Sequence, residues 1–188
     1  MDEFTLSVRT ARQDDGEAVA RVYVDAWRDT YPGILPTELL RGMSVRVQAG
    51  RWRAAIAGGS RERVLVAEGQ GHGVIGMTSL GAAQDRALGY DGEIYTLYVS
   101  PDFFGHGIGT HLLRAGFGAL RAAGFTSCVI WAHARNPARF FYEAMGGRLV
   151  AERSRRMGGM NVPEAAFGWK RLTLAERKTA SGGSFTRS

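Results

Sequence analysis

Three glycines at alternate positions are the residues of this sequence whose spacing most directly suggests chemistry. Gly105, Gly107 and Gly109 follow a β-prone segment and precede an apolar helical segment. Without side chains, successive backbone N–H groups can converge on an anion, and the positive end of the following helix strengthens the attraction. The run therefore predicts a phosphate or pyrophosphate site, built from Gly105, His106, Gly107, Ile108, Gly109 and Thr110.

Two other kinds of phosphate-binding loop do not match this run. A dinucleotide-binding loop has the pattern G-x-G-x-x-G, with an acidic residue about 20 positions later. Here the glycines follow G-x-G-x-G, and the later region is the apolar run 129–131. A nucleoside-triphosphate loop ends in Gly-Lys-Ser or Gly-Lys-Thr, which this sequence lacks. From the loop alone, the alternative remains that these glycines form only a tight strand-to-helix turn that binds no ligand.

The segments that must position this loop alternate between strand and helix patterns. The run 93–99 predicts a central strand, and the run 108–123 predicts a helix closed by Gly124. Further strands are predicted over 6–9, 63–68, 73–78, 127–133, 148–153 and 166–172. Further helices are predicted from Asp14 or Asp15 to Tyr31, over 36–57 with a break near 42–44, and from Asn136 to Met145. This mixture indicates an α/β fold with a mixed sheet.

One domain accounts for most of the chain. The length of 188 residues suits a single globular core. We expect residues 1–175 to form that domain. Residues 176–188 are mostly small and polar, so we expect a disordered C-terminal tail.

Two segments resemble motifs of the GNAT superfamily of acyl-CoA-dependent N-acyltransferases. The segment 93–113 resembles the cofactor motif of that superfamily, and the segment 136–147 resembles its next motif. The order of elements over 5–172 is also similar to that fold, and the segment 27–36 looks like a phrase from one branch. The resemblance implies a single-domain fold with about seven strands and about four helices. Its strands 4 and 5 would be splayed to admit coenzyme A.

The sequence departs from the motifs of the superfamily at two positions. Phe104 stands where the loop usually has Arg or Gln. Asn136 lies one residue closer to Tyr142 than is usual, whereas Ala138 keeps its usual distance from that tyrosine.

The resemblance also implies a cofactor and the residues that hold it. Acetyl-CoA would donate its acetyl group to a primary amine. Its pantetheine arm would lie beside Leu97, Tyr98 and Val99, and an amide of Leu97 or Tyr98 would stabilise charge on the carbonyl oxygen. The pyrophosphate would bind amides from Phe104 to Thr110. Asn136 and Tyr142 would also contact the cofactor.

Two side chains match catalytic positions of the superfamily. Glu93 matches a glutamate that acts as general base in some members, and burial would raise its pKa toward neutrality. Tyr142 matches a tyrosine beside the cofactor sulfur, whose phenol can protonate the departing thiolate. The alternatives are a structural carboxylate for Glu93 and a core aromatic for Tyr142.

Three further residues are candidates for the acceptor pocket. Trp27 and Tyr31 are spaced to share one helical face, in a region that borders the acceptor in the superfamily. His133 ends a predicted strand near that region. Core packing of the aromatic pair and a structural histidine are the alternatives.

Composition narrows the remaining classes of function. The net charge is +6 and comes almost entirely from arginine. The densest group is interpreted as a solvated face; it comprises Arg148, Arg153, Arg155 and Arg156. No basic stripe or stacking platform indicates nucleic-acid binding, and no apolar run is long enough to span a membrane. The four histidines form no convincing metal site.

The N-terminus and the cysteine content bear on the compartment. The start is acidic and lacks the apolar core of a signal peptide. The lone Cys128 lies in an apolar run and is interpreted as a core residue. A cytoplasmic location is therefore expected.

Three functions follow, in order of preference. The first is an N-acetyltransferase for a small-molecule amine that works by direct attack in a ternary complex. The second acetylates a protein or peptide amine, and the third binds acyl-CoA without turnover. The segments 31–40 and 157–163, interpreted as loops, carry no motif that identifies the acceptor. A homodimer is plausible from the family resemblance.

Overall fold

The computed structural model describes residues 5–59, 61–157 and 159–172. A single seven-stranded sheet has the strand order β1-β2-β3-β4-β5-β7-β6. Only β4 and β5 run parallel, and every other neighbouring pair is antiparallel. The strands are β1 (Leu6–Thr10), β2 (Arg63–Gly69), β3 (Gly73–Ala82), β4 (Gly92–Val99), β5 (Cys128–His133), β6 (Arg148–Met157) and β7 (Met160–Trp169).

Five α-helices in the described residues accompany this sheet, where about four were predicted. They are α1 (Gly16–Thr30), α2 (Thr37–Arg41), α3 (Val45–Ala54), α4 (Ile108–Ala122) and α5 (Ala138–Ala144). The segment 42–44 separates α2 from α3, so the predicted break is confirmed. The mixed α/β fold is confirmed as well, whereas the boundary at residue 175 and the tail 176–188 lie outside the described residues.

Local signals explain where the helices begin and end. Asp15 occupies the position before α1, as predicted, but its carboxylate accepts from the Arg12 amide at 2.6 Å and pairs with Arg9 at 2.7 Å. Helix α1 ends at Thr30, two residues before Pro32, because proline cannot continue a helix. Gly124 adopts a φ of 89° just after α4, which is the left-handed conformation that glycine accepts at a helix end.

The helices cover both faces of the sheet. Alternate residues of β2 point to opposite faces, so Val66 packs with α1 and α3 while Leu65 and Ala67 pack with α4. Trp52 of α3 and Leu113 of α4 are fully buried anchors of the two layers. Burial of each such side chain contributes about 1.5–3 kcal/mol, and the layers hold β4 at the centre of the molecule.

The central strands β4 and β5 separate after a short region of pairing. Their ladder covers only Gly92–Ile94 and Cys128–Ile130. A register shift between Ser79 and Leu80 of β3 marks a bulge in β4 at Tyr95. Beyond the bulge, β4 stays paired with β3 and β5 stays paired with β7. The predicted splay of strands 4 and 5 is therefore confirmed.

The last two strands differ from the prediction. β7 runs from Met160 to Trp169, not over 166–172, and β6 continues to Met157. The segment interpreted as a loop over 157–163 is thus mostly one side of a hairpin, in which Arg155 lies opposite Val162. The exposed strand β6 is rich in arginine, so hydrophobic alternation did not reveal its length.

Candidate active site

The glycine loop joins β4 to α4 and presents unpaired backbone donors. Gly105 and Gly107 have φ values of 81° and 74°, a conformation that favours glycine. Within the described part of the chain, no acceptor bonds the amides of Gly105, Gly107, Ile108 or Gly109. The loop therefore has the open donors that an anion requires.

Both ends of the predicted run of amides are already occupied. The Phe104 amide donates to the Pro101 carbonyl at 3.2 Å, and the Thr110 amide donates to the Gly107 carbonyl at 3.0 Å. The amides that remain open to an anion are therefore those of Gly105, Gly107, Ile108 and Gly109. Phe104 and Thr110 still line the adjoining cleft.

A cleft of about 560 Å³ lies between this loop, β4 and the start of α5. Nearly every residue predicted to bind the cofactor lines it; these residues are Leu97, Tyr98, Val99, Phe104, Gly105, Gly107, Ile108, Gly109, Thr110, Asn136 and Tyr142. His106 does not line the cleft. Its Nδ1 lies 3.0 Å from the Phe104 carbonyl oxygen, so the ring is turned toward its own loop.

A second pocket of about 310 Å³ lies between α1, α3 and strands β4 to β7. Glu93 lines it together with the three predicted acceptor residues, Trp27, Tyr31 and His133. Tyr98 lines both this pocket and the larger cleft. The two spaces therefore adjoin at Tyr98 of β4, on the side where β5 has separated from that strand.

Glu93 is a buried carboxyl group at the floor of the second pocket. Its exposed fraction is 6%, and its Oε2 accepts a hydrogen bond from the Gln84 amide at 2.7 Å. Burial raises the pKa of Glu93, although the Gln84 bond and the nearby Arg153 oppose that rise. Oε1 has room for a second partner, since a carboxylate accepts through both oxygens.

Tyr142 is buried on the sheet-facing side of α5, where it borders the larger cleft. Its ring packs against Phe141, Phe167 and Trp169, with centroid distances of 5.4, 5.7 and 6.4 Å. Burial raises the pKa of its phenol, so the hydroxyl keeps its proton at neutral pH. Tyr142 is thus part of the core and of the cleft at once.

A hydroxyl network crosses the gap between α1, β4 and α5. The side-chain Nδ2 of Asn136 donates to the Tyr31 hydroxyl at 3.1 Å, and burial raises the pKa of Tyr31, a rise that Tyr98 partly opposes. The other end of Asn136 accepts from the Ala138 amide at 2.9 Å and begins α5. Asn136 therefore acts as a cap and a brace in the cleft wall, which the sequence only partly predicted.

His133 lines the pocket as a hydrogen-bond donor. Its Nδ1 accepts from the Arg135 amide at 3.0 Å, so the proton of the neutral ring lies on Nε2. Burial lowers the pKa of His133, and the positive charge of Arg135 lowers it further. A neutral ring whose free nitrogen already carries a proton is poorly suited to act as a base.

Several charged residues of the second pocket were not predicted as site residues. Arg153 donates to Glu164 at 2.7 Å and stacks 3.8 Å above the ring of Trp131, and Arg155 also lines the pocket. The interpretation of the arginine group as a solvated face is wrong for Arg153, whereas Arg155 is exposed to solvent and also lines the pocket. Their spacing of two residues on a strand, which places side chains on one face, was the signal available in the sequence.

Cys128 is fully buried, and burial raises the pKa of its thiol. It is therefore the core residue that the sequence predicted. Among the residues that the structure describes, no group of acidic, histidine or cysteine side chains is arranged to hold a metal ion. In the same part of the chain, none of the helices combines the length and the apolar character needed to cross a bilayer.

Comparisons with known proteins agree with this geometry. The model of the Acetyltransferase (GNAT) family matches residues 16–147. The uncharacterized N-acetyltransferase YuaI of Bacillus subtilis is 32% identical over 168 residues, which cover 89% of this chain and 95% of that protein.

Two solved structures illustrate the likeness of the fold. The PaiA N-acetyltransferase from Thermoplasma acidophilum, in complex with coenzyme A, has a TM-score of 0.62 and 19% identity, covering 86% of this chain and 98% of that one. YncA of Salmonella typhimurium, solved with its cofactor acetyl-CoA, has a TM-score of 0.65 and 20% identity, covering 94% of this chain and 99% of that one.

The mixed sheet with its splayed central strands is the fold of N-acetyltransferases of the GNAT type. The extent of the family match goes beyond the fold, since it includes the glycine loop and both sequence motifs. The chain belongs to the GNAT family of acetyltransferases, and it is an acetyl-CoA-dependent N-acetyltransferase.

Proposed function

We propose that this enzyme acetylates the primary amine of a small molecule by direct attack within a ternary complex. The observation that carries the proposal is that two pockets lie on either side of the gap beside β4 and share Tyr98 in their linings. One partner can enter from each side of the separated strands, so that the amine and the thioester face each other without a covalent enzyme intermediate. Alignment of two bound reactants is itself a large part of catalysis.

The larger cleft suits acetyl-CoA. The open amides of the glycine loop and the N-terminus of α4 fit its pyrophosphate. Between Tyr95 and Val99, the β4 backbone has no strand partner on the side that β5 leaves, so its free N–H and C=O groups fit the amides of the pantetheine arm. Tyr142, Leu97 and Phe141 supply the apolar wall.

Two side chains would move protons in this arrangement. Glu93, with its raised pKa, accepts the proton of the attacking amine, directly or through a water. Tyr142 stays protonated at neutral pH and donates its proton to the departing sulfur. Acetyl-CoA supplies the activated acetyl group, and the protein supplies the positions of the base and the acid on either side of it.

The size of the acceptor pocket favours a small molecule. A volume of about 310 Å³ lies at the lower end of the range for small-ligand sites. The β6–β7 hairpin and α1 wall the pocket, where a long peptide would need an open groove. A protein or peptide amine is therefore the weaker alternative.

Release of free thiol from acetyl-CoA tests the proposal. Each of several amino acids, polyamines, aminoglycosides and short peptides is offered at equal concentration, and binding of coenzyme A is measured separately by calorimetry. Thiol release with small amines alone supports the proposal. Release with peptides alone would show that the acceptor is a peptide or protein amine. Binding of coenzyme A without release from any amine would leave a binding module in place of an enzyme.

A further inference from the structure

We infer that the acceptor carries an anionic oxyacid group, a carboxylate or phosphate, close to its amine, and that Arg155 and Arg153 bind that group. The inference deepens the proposed function and rests on it for the location of the amine. It predicts that the acceptor is an amino acid or an amino phosphate, and that polyamines and aminoglycosides, which lack such an anionic group, are poor acceptors.

The charges that line the acceptor pocket do not balance. Three guanidinium groups reach it, from Arg51 of α3 and from Arg153 and Arg155 of β6. Two carboxyl groups face them, Glu93 and Glu164. The raised pKa of Glu93 makes its negative charge easier to lose. The lowered pKa of His133 favours its neutral form. Neither group therefore adds further negative charge that would offset the arginines. The lining thus carries more positive than negative side chains, although Arg51 and Arg155 are exposed to solvent, and an anionic ligand would offset the difference.

Glu164 is already committed to the arginines and is a poor partner for a substrate amine. Its side chain is 10% exposed, and its Oε2 accepts from Arg153 at 2.7 Å. Its other oxygen lies 3.9 Å from Arg155. An ammonium group would have to compete with the ion pair between Glu164 and Arg153. Glu93 is therefore the carboxyl group of this pocket that can receive the amine of the acceptor.

Arg153 is held in place and still has donors to offer. Its guanidinium stacks 3.8 Å above Trp131, and its Nε makes the bond to Glu164. Both terminal amino groups remain as further donors on the same rigid plane. A planar group fixed by stacking and one ion pair loses little freedom when it binds a carboxylate or phosphate.

Arg155 lies on the same face of β6, two residues further along the strand. Its side chain is 57% exposed, and its distance of 3.9 Å from Glu164 exceeds that of a hydrogen bond. The two arginines thus place two guanidinium groups on one face of β6 at the pocket wall, and each has N–H donors for an oxyanion.

The neighbouring residue provides a matched control. Arg156 lies opposite Asn161, is exposed, and is absent from the residues lining the pocket. Since side chains alternate along a strand, Arg156 points to the other face. Arg155→Gln and Arg156→Gln therefore remove the same charge from adjacent positions, and only the first removes it from the pocket.

The test compares amino acids with the amines obtained by removing their carboxylate, so that each pair shares a side chain. We expect kcat/KM for thiol release to be about tenfold or more higher with the carboxylate, the usual effect of one charge-assisted hydrogen bond. Arg155→Gln should reduce this preference at least about fivefold, with the Kd of coenzyme A unchanged. Arg156→Gln should keep the preference.

Two results would overturn the inference. One is equal or better turnover of the amine without its carboxylate, or of polyamines. The other is an equal loss of preference in both arginine variants, which would indicate a general effect of charge. Equivalent pairs with a phosphate in place of the carboxylate distinguish the two oxyacids.

Binding measurements separate this inference from the proposed function. Amino acids and their decarboxylated amines are titrated by calorimetry into the protein saturated with coenzyme A. If no amine releases thiol but amino acids bind in an Arg155-dependent way, the proposed function fails, and of the inference only the oxyanion site at Arg153 and Arg155 stands. If amines are acetylated without any effect of the carboxylate or of Arg155, the inference fails and the proposed function stands. If there is neither turnover nor binding of amino acids, both fail.

Discussion

Burial controls the proton affinity of the two side chains proposed to move protons. Glu93 and Tyr142 are 6% and 4% exposed. Loss of water disfavours the charged form of each, so the pKa of both groups is raised. A raised pKa makes the carboxylate of Glu93 a stronger base. A raised pKa also makes the phenol of Tyr142 hold its proton more firmly, until the departing sulfur takes it.

Replacement of Glu93 tests the base. Glu93→Gln keeps the shape of the side chain and removes its basic oxygen, so kcat should fall by about 10²–10⁴-fold. In the wild type, kcat/KM should fall as pH drops through the raised pKa of Glu93, above its ordinary value of 4.5, because the protonated carboxyl cannot accept a proton. The variant should lack that acidic limb in a pH profile measured with one amine.

The exposed Glu152 on β6 serves as the control for charge. Glu152→Gln should leave both the rate and the profile unchanged. A normal acidic limb in Glu93→Gln would assign the base elsewhere.

Replacement of Tyr142 tests the acid. Tyr142→Phe retains the ring that packs on Phe167 and Trp169 and removes only the hydroxyl. We expect kcat to fall by about tenfold or more, with the calorimetric Kd of coenzyme A changed by less than about threefold, because the proton is needed only when the sulfur leaves. Tyr90→Phe, buried outside both pockets, is the matched loss of a hydroxyl. Full turnover by Tyr142→Phe would refute the acid role.

At the scale of elements, the gap between β4 and α5 sets the width of the cleft proposed for the cofactor. A Cβ at Gly109, in the first turn of α4, would lie 3.5 Å from Phe141 and 3.9 Å from Leu97. Both of those side chains line the cleft. A methyl group fits there, and anything larger reduces the space between them.

A larger residue at Gly109 should therefore weaken cofactor binding. We expect Gly109→Val to raise the Kd of coenzyme A by about tenfold or more, because its extra methyl groups meet Phe141 and Leu97. Gly118 lies on the same helix and is exposed, and a Cβ added to it would meet no atom within 4 Å. Gly118→Val carries the same β-branched side chain and should bind normally. Equal Kd values for the two variants would exclude the proposed position of the cofactor.

At the scale of the whole molecule, one carboxylate ties together the starts of the two strands that later separate. Asp91, just before β4, accepts four hydrogen bonds from the amides and hydroxyls of Thr126 and Ser127, just before β5, at 2.6–2.9 Å. Burial alone would raise the pKa of Asp91, but these bonds outweigh it and hold the pKa well below its usual value of 3.8. The splay is thus anchored at one end.

Loss of this anchor should destabilise the fold. Asp91→Asn should lower the free energy of unfolding at neutral pH by about 1–3 kcal/mol, because an amide cannot accept all four bonds. A depressed pKa stabilises the folded state above 3.8, so the wild-type advantage should shrink as pH falls below that value. Urea unfolding at several pH values measures both effects. Asp25→Asn, exposed on α1, should cost little, and an equal cost for both variants would contradict the anchor.

The homodimer expected from the family resemblance stays a prediction, as do the domain boundary at residue 175 and the tail.

Local order along the chain was available from the sequence because it depends on neighbours. The loop glycines, the Gly124 helix end and the Asn136 cap each act within a few residues of themselves. These signals, with the hydrophobic periods, were enough for the element order, the family and most of the residues that line the larger cleft. The error over 157–163 arose where β6 is exposed and rich in arginine, so that no hydrophobic period marked its pairing with β7.

The pocket proposed for the acceptor was decided only by the tertiary structure. It assembles side chains from α1, α3 and four strands, and its Tyr31–Asn136 bond joins residues 105 positions apart. Arginines that look like surface charge in the sequence become a pocket wall once β6 pairs with β7. The sequence by itself thus determined the acetyl donor, through motifs that lie in one continuous strand, loop and helix. Specificity for the acceptor depends on which distant side chains the folded sheet brings together.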